Sequence, residues 1–263
     1  MNISTLKEIR SKKREILLAA LLKYTVMVFL SIALALLFFS SYPDIAAGII
    51  LAGTVPAGTT AAVYSLLAGG NVSLVVAGSL IDVVISPIVT PLAMLVLAKA
   101  HVSVSFWSLF QSFFLIVVLP LSLGLLTQKN FPKMAFYSKS AAKLGSALAI
   151  LLIVHTVIGS GKEAIGAHFD LLLLLFVVTF LQVFLAMVLG YYLAKKLRMA
   201  ESDARAMLFH VGLANTALAA ILAYQFLSEA AVIGPIFCMV INLALGAFFA
   251  NYFAKKEIVV QEK

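Results

Sequence analysis

Charge is what this sequence has least of. Asp, Glu, Lys and Arg together make 11% of its 263 residues, about half their share in an ordinary soluble domain. The polar surface a soluble globule needs is therefore missing. With 63% hydrophobic residues and a mean hydropathy of +1.11, the chain reads as an integral membrane protein of the all-α class. Cysteine occurs once, at Cys238, which excludes an internal disulfide or a multi-cysteine metal cluster and leaves packing as its role. Catalytic signatures are missing as well: there is no Walker-type phosphate loop, no His-Glu-x-x-His and no Gly-x-Ser-x-Gly. The expectation is no enzyme, no cofactor and no metal site. A net charge of +8 would suggest nucleic acid in a soluble protein. In a membrane chain its meaning lies in where the charges fall, and no nucleic-acid partner is expected.

Long apolar runs are abundant. The N-terminal stretch MNISTLKEIRSKKREILLAALLKYTVMVFL is basic and then apolar through Ser40, too long for the apolar stretch of a cleaved signal peptide, and is read as a retained first span. Spanning takes about 20 mostly apolar residues. Eight stretches qualify, Leu17–Phe39, Ile45–Ala68, Val72–Leu97, Val104–Leu126, Ala141–Ile158, Phe169–Ala194, Ala204–Leu227 and Ala230–Ala254, all within a single membrane domain over residues 1–263. Pro43 and the Asn130–Pro132 stretch fit loops. One set of loops holds Lys7, Arg10, Lys12, Lys13, Arg14, Lys129, Lys133, Lys139, Lys143, Lys195, Lys196, Arg198, Arg205, Lys255, Lys256 and Lys263; the opposite set holds only Lys99 and Lys162. Lys23 lies close to the start of the first span. Sixteen against two puts both termini on the cytoplasmic side of a bacterial cytoplasmic membrane.

Two spans carry interruptions. The second contains GTVPAGTT, residues 53–60, with Gly53, Pro56 and Gly58 among three threonines; the seventh contains FHVGLANTALAA, residues 209–220, with His210, Gly212, Asn215 and Thr216. Unwound backbone at membrane depth is tolerated where it is buried in protein or lines a cavity. Broken helices at matching places in two repeats point to a transporter binding site.

The stretches IAAGIILAGTVPAGTTAAVYSLLAGGNVSLVVAGSLIDVVISPIVTPL (45–92) and DARAMLFHVGLANTALAA (203–220), and more weakly LIVVLPLSLGLL (115–126), resemble the bile acid:sodium symporter family. The resemblance covers nearly the whole chain. It implies an inverted-repeat transporter fold, with core helices about 17–97 and 169–254 and panel helices about 104–158. The family has ten spans, and this sequence matches it without the first two, which leaves the panel half built. By the same resemblance Thr59, Thr60, Asn215 and Thr216 meet a small organic anion at the crossing of the broken helices, whose backbone includes Gly53, Pro56, Gly58 and Gly212.

The resemblance also implies sodium, yet the family's cation ligands fall on Ala61, Ala62, Val75, Ser79, His210 and Ala214. Methyl groups and an imidazole replace most of the hard oxygens, so sodium coupling is not expected to survive. Asp82, the one carboxylate well inside a span, lies one turn from Ser79, and His210 titrates near neutral pH. Asp82, His210 and Ser79 are the expected coupling site, with protonation in sodium's place. A static Asp82–His210 pair that only holds the core is the competing interpretation. The functional expectation is a symporter-type secondary transporter working by alternating access in the lipid bilayer. The alternative is a transport-incompetent core acting as a sensor or subunit, covering its exposed face with a partner, such as a second copy in a homodimer.

Overall fold

The computed structural model describes residues 12–95, 106–130 and 166–256, with isolated positions at 148, 152, 155, 156, 159 and 163. Among these residues the fold is all-α. Helix α1 runs Lys13–Phe39 and contains a π turn at Lys23–Met27. The second expected span is two short helices, α2 (Pro43–Thr54) and α3 (Thr59–Leu67), and α4 follows as Val72–Met94. Helix α5 runs Phe106–Phe113, passes a π turn at Phe114–Val118 and continues Leu119–Asn130. A 3₁₀ turn at Phe169–Leu171 leads into α6, Leu172–Lys196. The seventh expected span is again two pieces, α7 (Glu201–Gly212) and α8 (Thr216–Phe226), followed by α9, Glu229–Ala254. The fifth expected span, at 141–158, lies outside the described residues apart from isolated positions.

Local chemistry accounts for the boundaries. Pro43 starts α2 at a position where its missing N–H costs nothing. Asn71, Asn215 and Ser228 accept from the N–H groups of Leu74, Leu218 and Ala231, capping α4, α8 and α9. Gly69, at φ 67°, closes α3 in the left-handed region that a side chain rarely adopts. Among the described residues four helices are long and apolar enough to cross a membrane, Lys13–Phe39, Val72–Met94, Phe169–Lys196 and Glu229–Ala254. At 1.5 Å per residue, α2 spans about 18 Å and α3 about 14 Å, so each covers about half of a 30 Å hydrocarbon layer.

The described helices form the same unit twice: a long helix, a broken helix and a long helix, as α1–α2/α3–α4 and α6–α7/α8–α9. The two units run in opposite senses. Lys12, just before α1, bonds Asp203 at the start of α7, and Arg14 donates to Leu197 O at the end of α6. Helix α4 also begins at this end, where Asn71 reaches Asp203, whereas α9 ends there, where Arg205 binds Phe253 O and Lys256 O. Lys12, Lys13, Arg14, Lys195, Lys196, Arg198, Arg205, Lys255 and Lys256 therefore gather at one end of the bundle, the basic end.

Close packing of small residues holds the units together, as it must where lipid gives helices no hydrophobic reason to associate. A Cβ on Gly48 of α2 would run into the backbone carbonyl of Ala231 on α9, and one on Gly234 of α9 would lie 3.1 Å from Ile49 N. Helix α5 packs on α4 and exposes Trp107, Leu115, Leu123 and Leu126.

Candidate functional site

The two breaks meet and pair. Ala57 and Ala214 form an isolated antiparallel bridge, with Gly58 N donating to Leu213 O at 2.9 Å and Asn215 N donating to Pro56 O at 2.8 Å. Backbone groups freed by unwinding are thus satisfied across the crossing, as apolar surroundings require. Neighbouring helices supply the rest: Thr90 of α4 donates to Thr54 O at 3.2 Å, and Asn242 of α9 donates to Ala214 O at 3.1 Å.

The unwound residues are Val55 to Gly58 and Leu213 to Asn215; Val55, Gly58 and Leu213 have extended backbone, and none of the seven has a positive φ. Pro56 and Gly58 lie within them. Gly53 is still inside the last turn of α2, and Gly212 is the last residue of α7. Both glycines provide room: a Cβ on Gly53 would collide with Ser31 Oγ, and one on Gly212 with Met187. Gly58 lets the second break approach, since its Cβ would lie 3.0 Å from Ala214 O.

Helices α3 and α8 both begin at this crossing, so their N-terminal N–H groups and positive dipole ends converge there. Thr59 is exposed, Thr60 and Asn215 are half-buried, and Thr216 is buried. The Asn215 side-chain oxygen is committed to capping α8.

Behind the crossing, Asp82 and His210 come together. Asp82 Oδ2 lies 3.5 Å from His210 Nε2, and both residues are fully buried. The same oxygen accepts from Ala57 N at 3.1 Å, tying the carboxylate to the first break. Asp82 Oδ1 and both His210 nitrogens have no hydrogen-bond partner among the described residues. Gly78 makes the approach feasible, because a Cβ there would lie 2.8 Å from His210 Cε1. Ser79 is not drawn into the pair; its hydroxyl donates back to Val75 O at 2.8 Å on its own helix. Val75 and Ala61, where the resemblance puts cation ligands, are fully buried.

Sequence reasoning passed over Lys23. It is fully buried at the start of the π turn, and its ammonium has no hydrogen-bond partner among the described residues. The next residue, Tyr24, donates to Asp82 O at 2.9 Å. The available signal was a lysine six residues into the first apolar span, where an ionisable group marks a function or a partner. Gln182 was missed too. Its amide nitrogen donates to Ser31 Oγ at 2.7 Å and Ile49 O at 3.0 Å, and Cys238 donates to its oxygen, so it binds α1, α2, α6 and α9 together.

At the basic end Glu201 accepts from Arg205 Nε at 3.0 Å, Tyr191 OH at 3.0 Å and Lys195 Nζ at 3.0 Å. Partial burial works against its charged form. The bonds from Lys195, Arg205 and Tyr191 outweigh that and hold its carboxyl below the usual carboxylate range.

The sequence description of the Sodium Bile acid symporter family matches residues 1–168. The chain is 34% identical over 252 residues to YocS of Bacillus subtilis (strain 168), named an uncharacterized sodium-dependent transporter, across 95% of this chain and 77% of that protein. It is 26% identical over 262 residues to the uncharacterized protein YbaS of the same bacterium, across 98% and 84%. It is 30% identical over 226 residues to BASS2 of Oryza sativa subsp. japonica, named a probable sodium/metabolite cotransporter, chloroplastic, across 86% of this chain and 53% of that protein. A family match over more than half of the sequence and a bacterial alignment over nearly all of it make this chain a membrane transporter of the sodium bile acid symporter family, not an enzyme.

Proposed function

We propose that this chain is a secondary transporter that moves a small organic anion by alternating access. The anion is received where α3 and α8 begin, beside Thr59, Thr60, Asn215 and Thr216, and its movement is coupled to protonation of the Asp82–His210 pair. The observation that supports this best is the antiparallel pairing of the two breaks, which directs two helix N-termini, natural anion-binding ends, at one partly open place. Asp82 is bonded to the same break through Ala57 N, so a change in its charge acts directly on the backbone that faces the anion. The basic end is the cytoplasmic one on this reading, as the distribution of Lys and Arg favours.

A sodium-driven reading stands beside it, favoured by the sodium in the names of YocS and BASS2. Uptake of a panel of radiolabelled carboxylates into proteoliposomes separates the two, with a pH gradient and a sodium gradient imposed one at a time. Uptake driven by the pH gradient and lost in Asp82→Asn is expected. Uptake that follows the sodium gradient and ignores pH would replace proton coupling with sodium coupling. No carboxylate moving under either gradient would remove the organic-anion proposal for this chain.

A further inference from the structure

We propose that the Lys23 ammonium is a tethered cation, taking beside Asp82 the position that a free coupling cation would need. The proposal rests on the reading of the crossing as the coupling site.

Depth comes first. Lys23 follows Lys12 by eleven residues and Asp82 follows Asn71 by eleven, and Lys12 and Asn71 both bind the Asp203 carboxylate. At 1.5 Å per residue that places both charges about 16 Å from the basic end, half of a 30 Å hydrocarbon layer. Facing comes second. A Cβ on Gly78 would lie 3.3 Å from the Ala19 Cβ and 3.0 Å from His210 Nε2, so α1, α4 and α7 meet at that level. One turn further along α1 and α4 stand Lys23 and Asp82, and Tyr24 fixes the register through Asp82 O. The ionisable groups around Lys23 are Asp82 on α4, His210 on α7 and Tyr24 on its own helix.

The charges then decide the occupant. A buried ammonium is retained only against a partner or for a function. Lys23 and Asp82 with a neutral His210 sum to zero, so a free monovalent cation would leave the buried cluster with a net positive charge. Removing the lysine charge reverses this, because the carboxylate is left without its counter-ion.

The test is thermal unfolding of the purified full chain in mild detergent at pH 8, scanned against sodium at fixed ionic strength with potassium and choline as controls. The wild type and Lys23→Arg are expected to show no sodium-specific shift. Lys23→Met is expected to gain a cation-dependent rise in apparent Tm on the order of 5 °C at a hundred times the dissociation constant. The double variant Lys23→Met/Asp82→Asn is expected to lose that rise. A sodium-specific shift in the wild type, or a folded Lys23→Met that responds to no cation, overturns the proposal. Lys23→Gln serves if the methionine variant does not fold, and the wild-type scan decides if neither does. Proteoliposome uptake is read separately: a wild type without pH-driven uptake, whose unfolding still follows this pattern, sinks the proton-coupled function and leaves the tethered cation standing.

Discussion

Two groups of charged and polar residues lie on or at the starts of α1, α4 and α7, the first reaching α6 and α9 as well, and they are built in opposite ways. At the basic end the least exposed charges have their bonds: Lys12 lies 2.7 Å from both Asp203 oxygens, and Asn71 lies 2.8 Å from Oδ1. Arg205 divides itself among Glu201 Oε1, Ala68 O, Phe253 O and Lys256 O, stitching α3, α7 and the end of α9 together. At the crossing Lys23, Asp82 and His210 are more deeply buried yet share one 3.5 Å approach and one backbone amide. A cluster that only held the fold would resemble the first, since an unsatisfied buried polar atom costs about 1–3 kcal/mol. On the proposed function, the under-bonded cluster is the one whose bonds are exchanged during transport.

The largest effect expected from breaking this contrast is on transport. Asp82→Asn keeps an oxygen for Ala57 N but removes the charge. Proton-driven uptake should fall to background in proteoliposomes at matched amounts of folded protein, and the loss of the counter-charge of the buried Lys23 should also lower the unfolding free energy, by about 3 kcal/mol. Uptake that survives would make the Asp82–His210 contact a static brace.

Arg205→Met carries the next effect, on the other side of the comparison. It leaves Glu201 short of one partner and strands carbonyls at the ends of α3 and α9, at a cost of about 3 kcal/mol in detergent unfolding. The ion specificity of uptake by the protein that remains folded should be unchanged. Asp203→Ala should cost less, about 1–2 kcal/mol, because Lys12 is partly exposed and can turn to water. An ion-specificity change in either variant would end the division between a structural and a functional cluster.

How far the sequence foretold this follows the same division. The two breaks were readable because Gly, Pro and Asn interrupt long apolar runs, and they are unwound at residues 55–58 and 213–215. Gly53 and Gly212 read as part of the break because glycine in a helix suggests unwinding. Their actual use is the close approach of Ser31 and Met187, which depends on partners distant in the chain. Asp82 stood out as a lone carboxylate in an apolar span. Lys23 did not, because a lysine near a helix start looks like a flanking charge until α4 and α7 are seen packed over it. Gln182 escaped for the same reason: its value lies in three other helices. Of the expected panel only α5 and isolated positions at 148, 152, 155 and 156 are described, and residues 131–147 lie outside the described residues.

The smallest expected effect concerns pH and sharpens the contrast most. Glu201 is held below the usual carboxylate range because the bonds from Lys195, Arg205 and Tyr191 outweigh its desolvation. A depressed carboxylate adds stability that is fully present above its unfolded pKa, about 4.3, and is lost as pH falls through the lower folded value. Apparent Tm measured from pH 6 down to pH 3 should therefore decline on the acid side through loss of this contribution, and Glu201→Gln should flatten that limb. The contribution is modest, because the site is partly open to water and the pairs are screened. The pH dependence of uptake should be the same in Glu201→Gln as in the wild type, since Glu201 lies at the basic end and Asp82 at the crossing. A shifted uptake profile would mean that the two clusters communicate along α7, and that the basic end also takes part in transport.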